Sequence, residues 1–96
     1  MDRILPTYAR CIKQSTIDTI HNWVDHGWEP GGFMTAVICN DLRDAVSRAD
    51  SDNIQVIPQI VMYLYNCVPA SCWGSPENFS NWKAFKEHQR SCKEIK

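Results

Sequence analysis

The sequence predicts an all-α fold, a compact bundle of about four helices, and three observations carry that prediction. Apolar residues recur at spacings of three and four in several segments. Clusters of Gly, Pro, Asp and Ser separate those segments. No alternating apolar and polar run bounded by turns, as a half-buried strand requires, occurs in the 96 residues.

The elements follow in chain order. Residues 1–14 form an N-terminal arm or a short helix in which Pro6 precedes Tyr8, Cys11 and Ile12. A first helix is expected over residues 16–26: Ser15 and Thr16 mark its start, Ile17, Ile20, His21 and Val24 share one face, and Gly27 stops it. The breakers in Trp28-Glu29-Pro30-Gly31-Gly32 make a turn. From Phe33 a second helix carries Met34, Ile38, Leu42, Ala45, Val46 and Ala49 on one broad face that Arg43, Asp44, Ser47 and Arg48 avoid. Asp44 and Arg48, four apart, can pair for a few tenths of a kcal/mol.

Asp50-Ser51-Asp52-Asn53 offers N-caps for a third helix through Ile54, Ile57, Val61, Leu64 and Tyr65. Pro58 has no amide hydrogen and clashes with a preceding turn, so the chain kinks or restarts there. The stretch from Ile60 to Tyr65 is apolar nearly all round, which predicts the central and most buried element. Pro69 ends it, and a connector with Cys72 and Trp73 follows. Ser75-Pro76-Glu77 supplies an N-cap, a first-turn proline and a first-turn carboxylate. The last helix carries Phe79, Trp82, Phe85 and Gln89 along one side, and residues 83–96 form a basic end that frays near Ser91.

Composition narrows the class. An apolar fraction of 44% in 96 residues supports one core and one domain. The formal charge of −1 gives no long-range field to gather nucleic acid or anionic membrane. No stretch reaches the roughly 20 apolar residues that span a bilayer, and the beginning of the chain has no apolar signal region. These features predict a soluble, unsecreted protein. The odd cysteine count of five fits reduced structural thiols in that setting.

No catalytic, metal or cofactor constellation is expected. Cys67 and Cys72 have the spacing of one metal-binding pair, but no second close pair joins them, and His21 and His26 fall on different helical faces. Asp50-Ser51-Asp52-Asn53 lacks the central glycine and final glutamate of a calcium loop, and capping explains it better. No nucleophile stands in an activating pattern, so the chain is not read as an enzyme. The glycines at 31 and 32 precede a helix, yet the longer loop and lysine of a phosphate cradle are missing.

Function is therefore expected on a surface. Phe33, Val37, Asn40, Asp41 and Asp44 gather opposite the core face of the second helix. They either pack beneath Trp73 or form a patch for self-association or a partner. Lys83, Lys86, Arg90 and Lys93 make a basic stripe at helical spacing. Asp41 and Asp44 on the second helix argue against DNA reading by a helix-turn-helix.

One resemblance adds to this. His26-Gly27, Pro30-Gly31, Asn40-Asp41-Leu42, Tyr63-Leu64-Tyr65-Asn66 and Cys72-Trp73-Gly74-Ser75-Pro76 together resemble small uncharacterised proteins encoded by tailed bacteriophages and prophages. The likeness runs over residues 26–82, and Asn-Asp-Leu and Cys-Trp-Gly-Ser are its most specific strings. It implies a viral accessory protein acting in the host bacterial cytoplasm, and it brings no site residues. The leading expectation is a non-enzymatic inhibitor of a host protein or complex, such as an anti-CRISPR. An alternative is an oligomeric sponge for a nucleotide signal, using stacked aromatics with Arg43 or Arg48. A third is an accessory to phage transcription or DNA packaging.

Overall fold

The computed structural model describes residues 7–95, with side chains described for residues 9–89. Within them every regular element is helical and none is a strand, with five α-helices where about four were expected. A 3-10 turn, Thr7–Cys11, leads into α1, Gln14–His26. The residue before α1 is Lys13, which makes no side-chain cap, so Ser15 and Thr16 do not open the helix as its sequence suggests. Thr16 is instead buried, and its hydroxyl donates to Asn53 Oδ1 at 3.0 Å. Ile17, Ile20 and Trp23 bury one stripe of α1. Burial of an aliphatic side chain of this size contributes about 1.5–3 kcal/mol.

Gly27 ends α1 for two reasons. Its φ of 71° lies in the left-handed region, where it returns an N–H to the Trp23 carbonyl at 2.9 Å. A Cβ there would also come within 2.5 Å of Lys86 Cβ. Glycine thus stops the helix and lets the last helix approach closely.

The expected second helix is two. α2, Gly32–Ile38, and α3, Leu42–Arg48, meet at a corner where Asn40 takes a φ of 63°. Asparagine tolerates that region better than most residues. Asp41 then caps α3, its Oδ1 accepting from Asp44 N at 3.1 Å. The corner re-aims α3. Ala45 stays in the core, whereas Leu42 and Val46, expected on the core face, are exposed. Arg48 Nε meets Asp44 Oδ2 at 2.8 Å, so the spacing of four does produce a pair.

α4, Ile57–Cys67, follows a 3-10 turn at Ile54–Val56. Pro58 occupies its first turn, where a missing amide hydrogen costs nothing, so the proline starts the helix rather than kinking it. Asp50 Oδ1 organises the approach by accepting from Asn53 N at 2.7 Å and Asp52 N at 3.1 Å. Ile60, Tyr63 and Leu64 are buried, but Val61, Met62 and Tyr65 are exposed. The expectation of a helix buried all round is thereby corrected: α4 lies at the edge of the core, with one apolar face outward.

A 3-10 turn, Ala70–Cys72, and the Trp73-Gly74-Ser75 connector lead to α5, Pro76–Ile95. Gly74 N donates to Ile38 O at 2.6 Å, tying the connector to the end of α2. Ser75 Oγ accepts from Asn78 N at 3.1 Å, as its capping position predicts. Phe79 stacks on Trp23 with ring centroids 4.6 Å apart, and Trp82 Nε1 donates to Trp23 O at 3.1 Å. The helix continues to Ile95, past the expected fraying point at Ser91. No helix among the described residues is long and apolar enough to cross a membrane.

Candidate functional site

Three surfaces collect the candidate residues. The first lies where the α2–α3 corner meets α4: a cleft lined by Val37, Asn40, Asp41, Leu42, Ala45, Ile57 and Val61. Its volume of about 40 Å³ is far below the roughly 300–1,000 Å³ of small-molecule sites. Asn40 and Asp41 stand exposed at its rim. Phe33 and Val37 do not join them on an outward patch, because Val37 is buried and Phe33 packs half-buried against the core. The left-handed turn at Asn40 parts residues that one continuous helix would have aligned.

The second surface is a hollow bounded by Glu29, Gly31, Gly32, Thr35, Asp44, Arg48 and Phe79. Arg48 packs against Gly32, where an added Cβ would meet its guanidinium at 2.9 Å. Its charge is already balanced by Asp44. Two carboxylates, Glu29 and Asp44, face any anion that enters, and α2 is only seven residues long. Arg43 is exposed on α3 and is not among the residues lining this hollow. The geometry disfavours a phosphate cradle.

The third surface runs along α5. Lys83 Nζ meets Glu29 Oε1 at 2.8 Å, and that hydrogen bond holds the Lys83 ammonium pKa above its usual range. Lys86 Nζ lies 5.1 Å from the Trp82 ring centroid and 5.7 Å from that of Phe85. The two rings are tilted at 5.5 Å, and with Ser71 and Asn81 they form a shallow apolar concavity. Gly27 abuts Lys86, which places the exposed Trp28, stacked on His26 at 4.4 Å, at the edge of the same surface. The side chains of Arg90 and Lys93 lie outside the described residues. Trp73 is half-buried and packs against the core, and its backbone carbonyl accepts from Asn78 Nδ2 at 2.8 Å.

The cysteines and histidines differ in their surroundings. Cys72 is fully buried and donates to Pro69 O at 3.0 Å, and burial pushes its thiol pKa up to about 11. Burial also raises that of Cys39. Thiols held protonated are poor nucleophiles. His21 Nε2 and Tyr63 Oη share a hydrogen bond of 2.5 Å at the core edge. Among the described residues no three His, Cys, Asp or Glu side chains are placed to hold a metal ion.

Sequence reasoning missed the exposure of Leu42, Val46, Met62 and Tyr65. One signal was present: no Asp, Glu, Lys, Arg or His lies between Asp52 and Glu77. Reading that stretch as core overlooked that an edge helix can show an uncharged face outward. Comparison with protein-family models, curated proteins and solved structures returned no match for the chain.

Proposed function

We propose that this chain is a non-enzymatic accessory protein of a tailed phage or prophage that docks on a host bacterial protein and inhibits the system it serves, as an anti-CRISPR does. The docking surface is the aromatic and basic face of α5. The carrying observation is the exposed Phe85 beside Trp82 with the Lys86 ammonium across both rings. Aromatic rings flanked by cations concentrate binding energy in heterologous interfaces, and the charge speeds and orients encounter with an acidic partner. Five basic residues against Glu87 and Glu94 from Lys83 onward set that sign locally, in a chain of net charge −1. The phage setting rests on the resemblance of the Asn-Asp-Leu and Cys-Trp-Gly-Ser strings. A nucleotide sponge has less support, since Arg48 is paired and its hollow holds Glu29 and Asp44.

The test is affinity capture from bacterial lysate with the wild type, Phe85→Ala and Lys86→Glu, followed by reconstitution with the purified captured protein. One host protein should bind the wild type, lose activity on binding, and release with salt. Phe85→Ala and Lys86→Glu should each weaken capture at least about tenfold, as loss of an interface anchor implies. Capture of nothing, or equal capture by Lys86→Glu, overturns the reading.

A further inference from the structure

We infer that the α5 face recognises a short acidic segment of its partner protein, in which one large apolar side chain enters the concavity at Trp82 and Phe85 and a neighbouring carboxylate meets the Lys86 ammonium. This rests on the reading of that face as the docking surface and names what docks there. The concavity is about 300 Å³, open, and lined by Ser71, Asn81, Trp82 and Phe85. That volume is the low end of the roughly 300–1,000 Å³ of small-molecule sites, and a hollow so shallow leaves much of a free ligand in water. A single aromatic or long aliphatic side chain suits it better, with its own backbone outside. Ser71 and Asn81 are exposed there, and a hydroxyl and a carboxamide match the donors and acceptors of a peptide backbone.

Charge complementarity sets the rest of the segment. Lys86 Nζ stands 5.1 Å from the Trp82 ring centroid and 5.7 Å from that of Phe85. Among the described residues Lys86 makes no ion pair, whereas Lys83 is held by Glu29. An ammonium already laid across two rings has less freedom to lose on docking than a lysine extended into water. Successive residues of an extended segment lie about 3.3–3.6 Å apart, so a carboxylate beside the inserted side chain comes within reach of it. A nucleic-acid strand fits less well. It brings a phosphate with every nucleotide, and Glu29 and Glu87 both lie close to Lys83, one turn from Lys86.

Titration of the isotope-labelled full chain with synthetic peptides, followed by two-dimensional NMR, tests it. The probe is a capped hexapeptide with one phenylalanine between two aspartates. It should shift the Trp82 indole, Asn81 carboxamide and Ser71 amide signals together. Replacing its aspartates by lysine, or its phenylalanine by alanine, should each weaken binding about tenfold or more. Both comparisons use the wild type and need no variant to fold. Lys86→Glu should reverse the preference and bind the lysine peptide better than the aspartate one. No shift at these three signals at about millimolar peptide overturns the inference. So does equal binding of the aspartate and lysine peptides, or tighter binding of a short oligothymidylate than of the aspartate peptide. Capture of no host protein beside a positive titration would remove the inhibitor reading and leave this one. Capture of a host protein by a chain indifferent to the peptides would do the reverse.

Discussion

The Trp23 indole donates its Nε1 hydrogen to the Cys72 carbonyl at 2.9 Å, joining residues 49 positions apart in the middle of the core. Both are fully buried, so this bond links α1 to the turn before α5 where water cannot substitute for either partner. The Trp23 carbonyl is used as well, accepting from Gly27 N and Trp82 Nε1. Trp23→Phe keeps a ring to stack on Phe79 but leaves the Cys72 carbonyl without its donor. Stability to urea should fall by about 1–3 kcal/mol, the cost of an unsatisfied buried polar group plus lost ring volume. An unchanged unfolding midpoint would contradict this role.

Asp50 controls the entry to α4 and is sensitive to acid. Its Oδ2 accepts from Lys13 Nζ at 2.6 Å, while Oδ1 accepts the amides of Asn53 and Asp52. The Lys13 hydrogen bond, then that of Asn53, holds the Asp50 carboxyl pKa below the usual carboxylate range. A folded-state value below the unfolded one stabilises the fold above the unfolded pKa of about 4 and is lost as pH falls through the folded value. Asp50→Asn should therefore melt lower than the wild type at neutral pH, and the two melting curves should converge toward about pH 2. Salt should remove only the Lys13 part of the difference, because that pair is exposed. A gap that widens on acidification would reverse the assignment.

Asn40 is the residue on which the fold departs most from its periodicity. At a φ of 63° it costs less than alanine but more than glycine. Asn40→Gly should leave stability within about 0.5 kcal/mol of the wild type, while Asn40→Ala should lose about 1 kcal/mol. Thermal melts of the two variants decide it. Equal melting would mean that the corner tolerates an ordinary right-handed turn.

The legible parts of the fold were those carried by local chemistry. Gly27, Pro58 and Ser75-Pro76 each mark a helix end or start through their own backbone geometry or hydrogen-bonding capacity, and each is found at such a boundary. The corner at Asn40 was not legible, because Met34, Ile38, Leu42 and Ala45 keep helical spacing straight through it. Asn-Asp followed by a carboxylate at Asp44 also reads as well within a helix as at its cap. The candidate surfaces shifted for the same reason. Asp41 and Asn40 kept their exposure, Phe33 turned inward, and Lys83 met Glu29 from a distant turn that no spacing rule connects to it.

The cysteines separate by burial, and that separation is directly measurable. Cys11 and Cys67 are exposed, Cys39 is half-buried, and Cys72 is enclosed with its thiol pKa pushed up to about 11. Alkylation requires the thiolate, so at pH near 8 Cys72 is both inaccessible and almost wholly protonated. Pulse alkylation with site mapping by mass spectrometry should label Cys11 and Cys67 first, Cys39 more slowly, and Cys72 only when the core opens. Denaturant should then raise the Cys72 rate steeply and that of Cys67 little, since only the former waits on opening. In Trp23→Phe the Cys72 rate should rise in native buffer by about the factor that the stability loss implies, roughly tenfold per 1.4 kcal/mol. Labelling of Cys72 at the Cys67 rate in the wild type would place the Ala70–Cys72 turn outside the cooperative core and undo the structural role given to its carbonyl.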